Sequence, residues 1–313
     1  MTAYIIRRLL ATVPVMVVVA IFVFLLLHLT PGDPAAVIAG DDATPEAVDG
    51  IRTKLGLDQP IHVQFGIYAA NLLRGDLGTS IFSNLPVLTL VKQRLEPTLV
   101  LAASTLVMAV LLAIPMGVLA AWKARTFIDR LVMGFSVLGF AVPGFLVGYL
   151  LIYVFAIELK WLPVQGYRPL SQGIDQTARS IILPALALSM AYMALIARMT
   201  RASMLDVLSQ DYIRTAKAKG VATLTVLLRH ALKNAAVPIV TVIGICLTLL
   251  ISGVVITDTV FNIPGLGRLT VDAILKRDYP IIQGLIILFA GAKVLVNLLI
   301  DISYVLFDQR IRY

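Results

Sequence analysis

Few side chains in this sequence are spaced for covalent chemistry. His28, His62 and His230 are far apart and make no ligand motif, and the single cysteine, Cys246, lies inside an apolar run. An internal disulfide and a multi-cysteine metal site are both excluded. Gly265-Leu266-Gly267 supplies two glycines of a nucleotide fingerprint, but the third is missing. The pair also follows an apolar run of membrane-span length instead of a buried strand. A turn leading into a short helix is expected there. No Walker sequence occurs, so the chain is not expected to hydrolyse ATP, and with no clustered histidines and carboxylates it is not expected to bind a cofactor or metal or to act as an enzyme.

Two polar constellations remain. Lys293, Asn297 and Asp301 recur at i, i+4 and i+8 on one helical face inside an apolar stretch. An ionisable residue at membrane depth is normally turned inward or paired. The face reads either as part of a translocation path or as a polar contact between helices, with Asp301 near the headgroups. The second constellation is basic: Arg198, Arg201, Arg214, Lys217, Lys219, Arg229 and Lys233 stand against only Asp206 and Asp211.

Two short helices can be drawn inside that basic stretch. Ser209 is the expected N-cap, Asp211 lies in the first turn, and Gly220 is the expected terminator. After it, Leu224, Leu227, Leu228, Ala231 and Leu232 repeat at helical spacing, opposite Arg229 and Lys233. Ala216, Ala218 and Gly220 put small side chains where another protein's surface could approach closely. The pattern reads as a docking module. The competing reading, a loop that only fixes topology, requires a few lysines and no pair of apolar faces.

The elements that position these residues are membrane spans. The chain of 313 residues is 59% hydrophobic and 14% charged, with a mean hydropathy of +0.92. Soluble domains average roughly 45–50% apolar and about 25% charged. Six stretches, near 9–30, 98–121, 131–157, 181–200, 235–256 and 281–304, reach the length of about 20 residues that a span requires. The third contains Pro143-Gly144 and is expected to kink, and the fourth is the shortest. The basic start before Leu9 leads to no small-residue cleavage site, so a retained first span is expected.

Charge orients the spans. With the N-terminus in the cytoplasm, the inner segments 1–8, 122–130, 198–234 and 305–313 carry 14 Lys/Arg. The outer segments 31–97, 158–180 and 257–280 carry 11 Lys/Arg and 13 Asp/Glu. Both termini and the basic loop 201–234 are therefore expected inside. The formal charge of +8 is spread over membrane-flanking turns, which argues against nucleic acid. The outer segment 31–97 opens with a turn at Pro31-Gly32-Asp33-Pro34 and an acidic run that includes Asp41 and Asp42. A helix is expected to begin at Thr44-Pro45-Glu46 and end at Lys54-Leu55-Gly56, with another over 61–73. The segment is too small for a catalytic core of its own and reads as a cap.

The stretch DYIRTAKAKGVATLTVLLRHALKNAAVPIVTVIG resembles the cytoplasmic loop of binding-protein-dependent ABC import permeases, in the branch handling dipeptides, oligopeptides and related solutes. The general family loop has Glu-Ala-Ala, three residues, then Gly. Arg214-Thr215-Ala216 stands in those places here and Gly220 fills the glycine, the form the peptide branch usually shows. YIIRRLL, PGDP, LGLDQP, GDLGTS, RASMLDVLSQDY, VFNIPGLGRL, RDYP and NLLIDISYVLFDQRIRY also look like that branch. ELKWLP and the terminal Ile311-Arg312-Tyr313 look like its glutathione permeases.

The resemblance implies an all-α polytopic protein of the bacterial cytoplasmic (inner) membrane, with six transmembrane helices and the type I ABC importer permease fold. Its expected parts are a tail and first span (1–30), an extracytoplasmic segment (31–97) and a five-helix core (98–313). The implied role is import of short peptides or peptide-like solutes by alternating access. The implied partners are a second permease, an extracytoplasmic solute-binding protein and two ATPase subunits, which would use ATP and Mg. The coupling surface is carried over to Ser209, Asp211, Tyr212, Arg214, Thr215, Ala216, Ala218, Gly220, Arg229 and His230. Nickel or opine import by the same architecture is an alternative. A secondary transporter would need an inverted repeat and deep ionisable groups, and Lys293 is the one candidate for a deep charge.

Overall fold

The computed structural model describes residues 2–29, 33–40 and 43–307. The expected turn at Pro31-Gly32, the acidic pair Asp41-Asp42 and the closing Ile311-Arg312-Tyr313 lie outside the described residues. The chain is helical and divides into two compact units, residues 1–96 with 265–294, and residues 97–264 with 295–313.

In the first unit, α1 (Thr2–Leu29) runs unbroken through Pro14, and its Phe24 packs against Phe65 and Tyr68 of α4 (Ile61–Leu73). Asp33 caps α2 (Pro34–Ala39) by accepting from the Ala35 amide at 3.1 Å. Thr44 caps α3 (Pro45–Leu55), and Gly56 ends it at φ +67°, as the turn chemistry predicts. The first turns of α5 (Val87–Trp122) then meet α12 (Leu266–Lys276) and the start of α13 (Tyr279–Phe307) around Val87, Val91, Leu266, Leu269 and Leu285. Ser80 donates to the buried carboxylate of Asp278 at 2.6 Å and so pins the preceding turn to this core. The short helix expected after Gly265 is α12.

The second unit is organised by α8 (Ile174–Leu208), against which α6 (Phe127–Ala141), α7 (Gly144–Leu151) and α11 (Ala236–Val260) all pack. Three apolar layers follow one another along it. Leu183 and Ala187 belong to the first, Met193 and Ile196 to the second, and Met204 to the third. Small residues set the approach distances. A methyl group built on Gly117 would stand 2.6 Å from the Thr200 side chain and 2.7 Å from the Ala197 carbonyl, and one on Gly139 would stand 3.1 Å from the Met190 carbonyl.

The expected fourth span, 181–200, is the middle of this 35-residue helix. In its most apolar membrane-length window 67% is buried within the protein, against 17–22% for the other unbroken candidates. The expected third span is broken. Val142 is extended, Pro143 and Gly144 restart the chain as α7, a π-helical stretch over Ile152–Glu158 follows, and the two arms are bent by 103°. Among the described residues, four helices are long and apolar enough to cross a bilayer alone. The count becomes six when this bent pair and a second, bent by 66° between Leu232 and Ala236, are each taken as one span.

Candidate coupling site

The polar connection between α8 and α11 holds the residues that sequence reasoning singled out. α8 ends at Leu208, and Ser209 belongs to that end: its backbone amide bonds to the Leu205 carbonyl and its hydroxyl donates to the Asp206 carbonyl at 2.7 Å. Ser209 is therefore not the N-cap of the next helix. That position falls to Gln210, whose extended backbone opens α9 (Asp211–Ala218) without a side-chain capping bond. The sequence reading placed the cap one residue early because it did not see α8 continuing this far.

Two features replace the missing cap. Ile213 is fully buried and seats α9 in an apolar cluster with Val118 and Ala121 of α5, Met204 of α8, and Ala235 and Ile239 at the start of α11. At the other end Gly220, at φ +77°, closes a Schellman turn: its amide bonds to the Lys217 carbonyl and the Val221 amide to the Ala216 carbonyl. Glycine is favoured at this position for its backbone conformation, since a Cβ there would meet nothing within 4 Å.

The rest of α9 faces outward. Asp211, Tyr212, Arg214, Thr215, Lys217 and Ala218 are exposed, and Ala216 is half-buried. Arg214 reaches Asp211 at 3.3 Å in an exposed i,i+3 pair, the kind that contributes little to stability. Thr215 donates to the Asp211 carbonyl. Of the small-residue surface expected at Ala216, Ala218 and Gly220, only Ala218 and Gly220 are fully presented.

The second short helix differs from expectation. α10 (Thr223–Thr225) passes into a π-helical stretch over Val226–Leu232. Its buried residues are Val226, Leu227 and Ala231, while Leu224 and Leu228 point out at 67% and 50% exposure. A 3.6-residue period does not describe a helix bonded i to i+5, so the predicted apolar face is rotated. Arg229 and Lys233 are exposed as expected, and His230 is half-buried with its carbonyl accepting from Asn234 at 2.6 Å.

One interaction near this module has no local sequence signal. Asp129, 4% exposed at the start of α6, accepts two bonds from the Arg201 guanidinium of α8, at 2.5 and 2.7 Å, and one from the Arg125 amide at 2.9 Å. This paired geometry fixes two planar groups at once, and it stands about two turns of α8 before Ser209. On α13, Asn297 accepts from Thr248 of α11 at 3.5 Å, so that position makes a contact between helices. Lys293 is exposed and Asp301 half-buried. Among the described residues, no group of three or more His, Cys, Asp or Glu comes together.

The comparisons with known proteins cover the whole chain. The model of the family described as "Binding-protein-dependent transport system inner membrane component" matches residues 113–313, and that of its N-terminal companion matches residues 1–102. The chain is 55% identical over 313 residues to "Probable peptide ABC transporter permease protein y4tP" of Sinorhizobium fredii. It is 44% identical over 314 residues to "Glutathione transport system permease protein GsiC" of Escherichia coli K12; each match covers 100% of both chains. The fold matches that of a chain in the inward-facing MetNI methionine ABC transporter, with a TM-score of 0.59 at 16% identity over 71% of this chain and 97% of that one. This is a multi-pass, all-α permease and a transport component, not an enzyme. The chain belongs to the binding-protein-dependent transport system inner membrane component family.

Proposed function

We propose that this permease imports short peptides or peptide-like solutes such as glutathione, and that residues 209–233 couple transport to ATP hydrolysis by partner subunits. The solute reading is supported by whole-length similarity to a probable peptide permease and a glutathione permease. The coupling reading rests on one observation: α9 exposes its polar surface while Ile213, fully buried, ties it to the ends of α5, α8 and α11. A pull on that surface is therefore delivered to three helices together. Two ATPase subunits using ATP and Mg would bind there, a second permease would complete the pore, and an extracytoplasmic protein would deliver solute. Closing the ATPase pair would open the cavity outward, and hydrolysis would reset it. Both termini and residues 201–234 lie in the cytoplasm in this reading, in keeping with the distribution of Lys and Arg. Lys293 and Asp301 are candidates for the path, and Asn297 for the contact between helices.

The test is uptake in liposomes by the purified, fully assembled transporter. Labelled dipeptide or glutathione should accumulate with ATP, and binding of nickel or an opine alone by the extracytoplasmic partner would defeat the solute reading. Gly220→Leu should either lose the ATPase subunits or keep them with uptake per ATP sharply reduced. Full assembly with both activities unchanged would rule out coupling through Gly220.

A further inference from the structure

The connection between the π-helical stretch and α8 encloses a hollow of about 540 Å³ whose lining includes Lys160, Trp161, Gln165, Arg168, Gln176 and Arg179. Three cations share this lining with no carboxylate: Glu158, which ends the π-helical stretch, and Asp175, in the first turn of α8, flank the connection and are not among the lining residues. Hydrogen bonds, each with a backbone group on at least one side, hold the walls. The Gly166 amide bonds to the Phe261 carbonyl at 2.9 Å, the Gln165 amide group donates to the Val260 carbonyl, and the Arg168 amide bonds to Ser180. Among the described residues, the guanidinium of Arg179 reaches the Trp161 carbonyl, at 3.5 Å. All three cations are exposed, so water screens their mutual repulsion, but the side chains present supply donors suited to a phosphate.

What adjoins the hollow selects the kind of anion. Trp161 is 61% exposed and its ring packs on Phe155 of the π-helical stretch, where Tyr153, Val154 and Ile157 are also exposed. A half-wet tryptophan beside cations, continuous with an apolar face, is the arrangement found at the boundary between headgroups and acyl chains. We propose that this hollow binds the phosphate of an anionic phospholipid whose chains lie along the exposed face of the π-helical stretch. A soluble anion would have no use for that apolar face.

Trp161 is itself the reporter, because the chain contains only two tryptophans and Trp122→Phe leaves it alone. The full chain is reconstituted in phosphatidylcholine vesicles that carry a small fixed fraction of either brominated phosphatidylglycerol or brominated phosphatidylcholine. The anionic quencher should reduce Trp161 fluorescence severalfold more than the zwitterionic one. In Lys160→Gln/Arg168→Gln/Arg179→Gln that preference should vanish, while quenching by brominated phosphatidylcholine persists and reports insertion. Should the triple variant fail to insert, Arg179→Gln alone should lower the preference partway. Equal quenching by the two lipids in the parent, or a preference that survives these substitutions, overturns the proposal. Equal quenching together with a Trp161 response to soluble polyglutamate assigns the hollow to an acidic protein surface, which also overturns it.

Discussion

α8 carries Pro184 and remains one helix for 35 residues, whereas α6 and α7 part at Val142-Pro143 and bend by 103°. Both prolines remove the same backbone donor and crowd the preceding turn, a cost of about 3 kcal/mol or more in an unsupported helix. The surroundings differ. Pro184 is buried, between Leu183 and Ala185 in an apolar layer formed with α7 and α11, so neighbours hold the turn in place. Pro143 is exposed, Gly144 follows it, and Val142 takes the extended conformation that a following proline favours. Exposure alone does not break a helix, since Pro14 and Pro115 are exposed inside the unbroken α1 and α5; the break at Pro143 coincides with the glycine that follows it and the extended Val142 before it. In this permease the packed helix is the one that leads directly into α9, and the broken one is held to it through Asp129 and Arg201.

The severest way to break that contrast is to push α8 off its support. Gly117→Leu would place a side chain where even a methyl group lies 2.6 Å from Thr200 and 2.7 Å from a backbone carbonyl. A carbonyl cannot rotate away, so the cost should reach or exceed about 3 kcal/mol, the upper part of the range for overpacking. The expected result is loss of monodisperse protein on extraction. Gly134→Leu, on α6 with open space around its Cβ position, is the control and should extract normally.

The next test cuts the tie between the rigid span and the broken one. Among the described residues, Arg201→Ala leaves the buried Asp129 carboxylate with the Arg125 amide as its remaining hydrogen-bond partner. Breaking a fully buried pair costs about 3–5 kcal/mol, and the partial exposure of Arg201, at 26%, lowers the expectation to about 2 kcal/mol. A lowered thermal midpoint in detergent should appear for Arg201→Ala and be partly recovered in Asp129→Asn/Arg201→Ala, which removes the stranded charge. An equal loss in both would mean that the pair contributes by packing alone.

Legibility in the sequence divides along the same line. Features whose cause lies within a few residues could be read: Thr44 and Gly56 bounding α3, Gly220 ending α9, and Pro143-Gly144 interrupting a span. What depends on neighbours could not. The fourth span reads as the shortest because hydropathy measures transfer into lipid, whereas Ser180, Ser189, Thr200 and Ser203 of α8 are buried against protein. Ser180 and Ser189 return their hydroxyls to carbonyls of their own helix. Asp129 and Arg201 are 72 residues apart, and Ser80 and Asp278 are 198 apart, so neither pair has a spacing to recognise. The π-helical stretch after Thr225 escaped for a different reason: an apolar pattern tested against a period of 3.6 has no means of reporting another.

Gly220 separates backbone strain from steric obstruction at the end of the packed helix's output. Because nothing lies near its Cβ position, Gly220→Leu should strain the turn by roughly 1–2 kcal/mol through its positive φ. Gly220→Asn, which tolerates that conformation better, should lie between leucine and the parent in both thermal midpoint and uptake per ATP. If asparagine is as damaging as leucine in uptake with a normal midpoint, the requirement lies in the docked partner's need for a bare surface.

Asp211→Lys is expected to be the mildest change and sharpens the same distinction. The Asp211 side chain is 95% exposed and that of Arg214 76%, so their contact at 3.3 Å is solvated and contributes little. The carboxylate also sits in the first turn of α9, where negative charge favours the exposed amides, but Ile213 anchors the helix independently of that charge. The thermal midpoint should therefore stay unchanged. Any fall in uptake per ATP should appear at low ionic strength and recover as added salt shortens the Debye length, since an exposed charge acts through screened fields. A deficit that persists at high salt requires a direct bond between the carboxylate and an ATPase subunit. Asp211 would then be part of the docking contact itself, and its exposure in the isolated permease would mark the place where the partner binds.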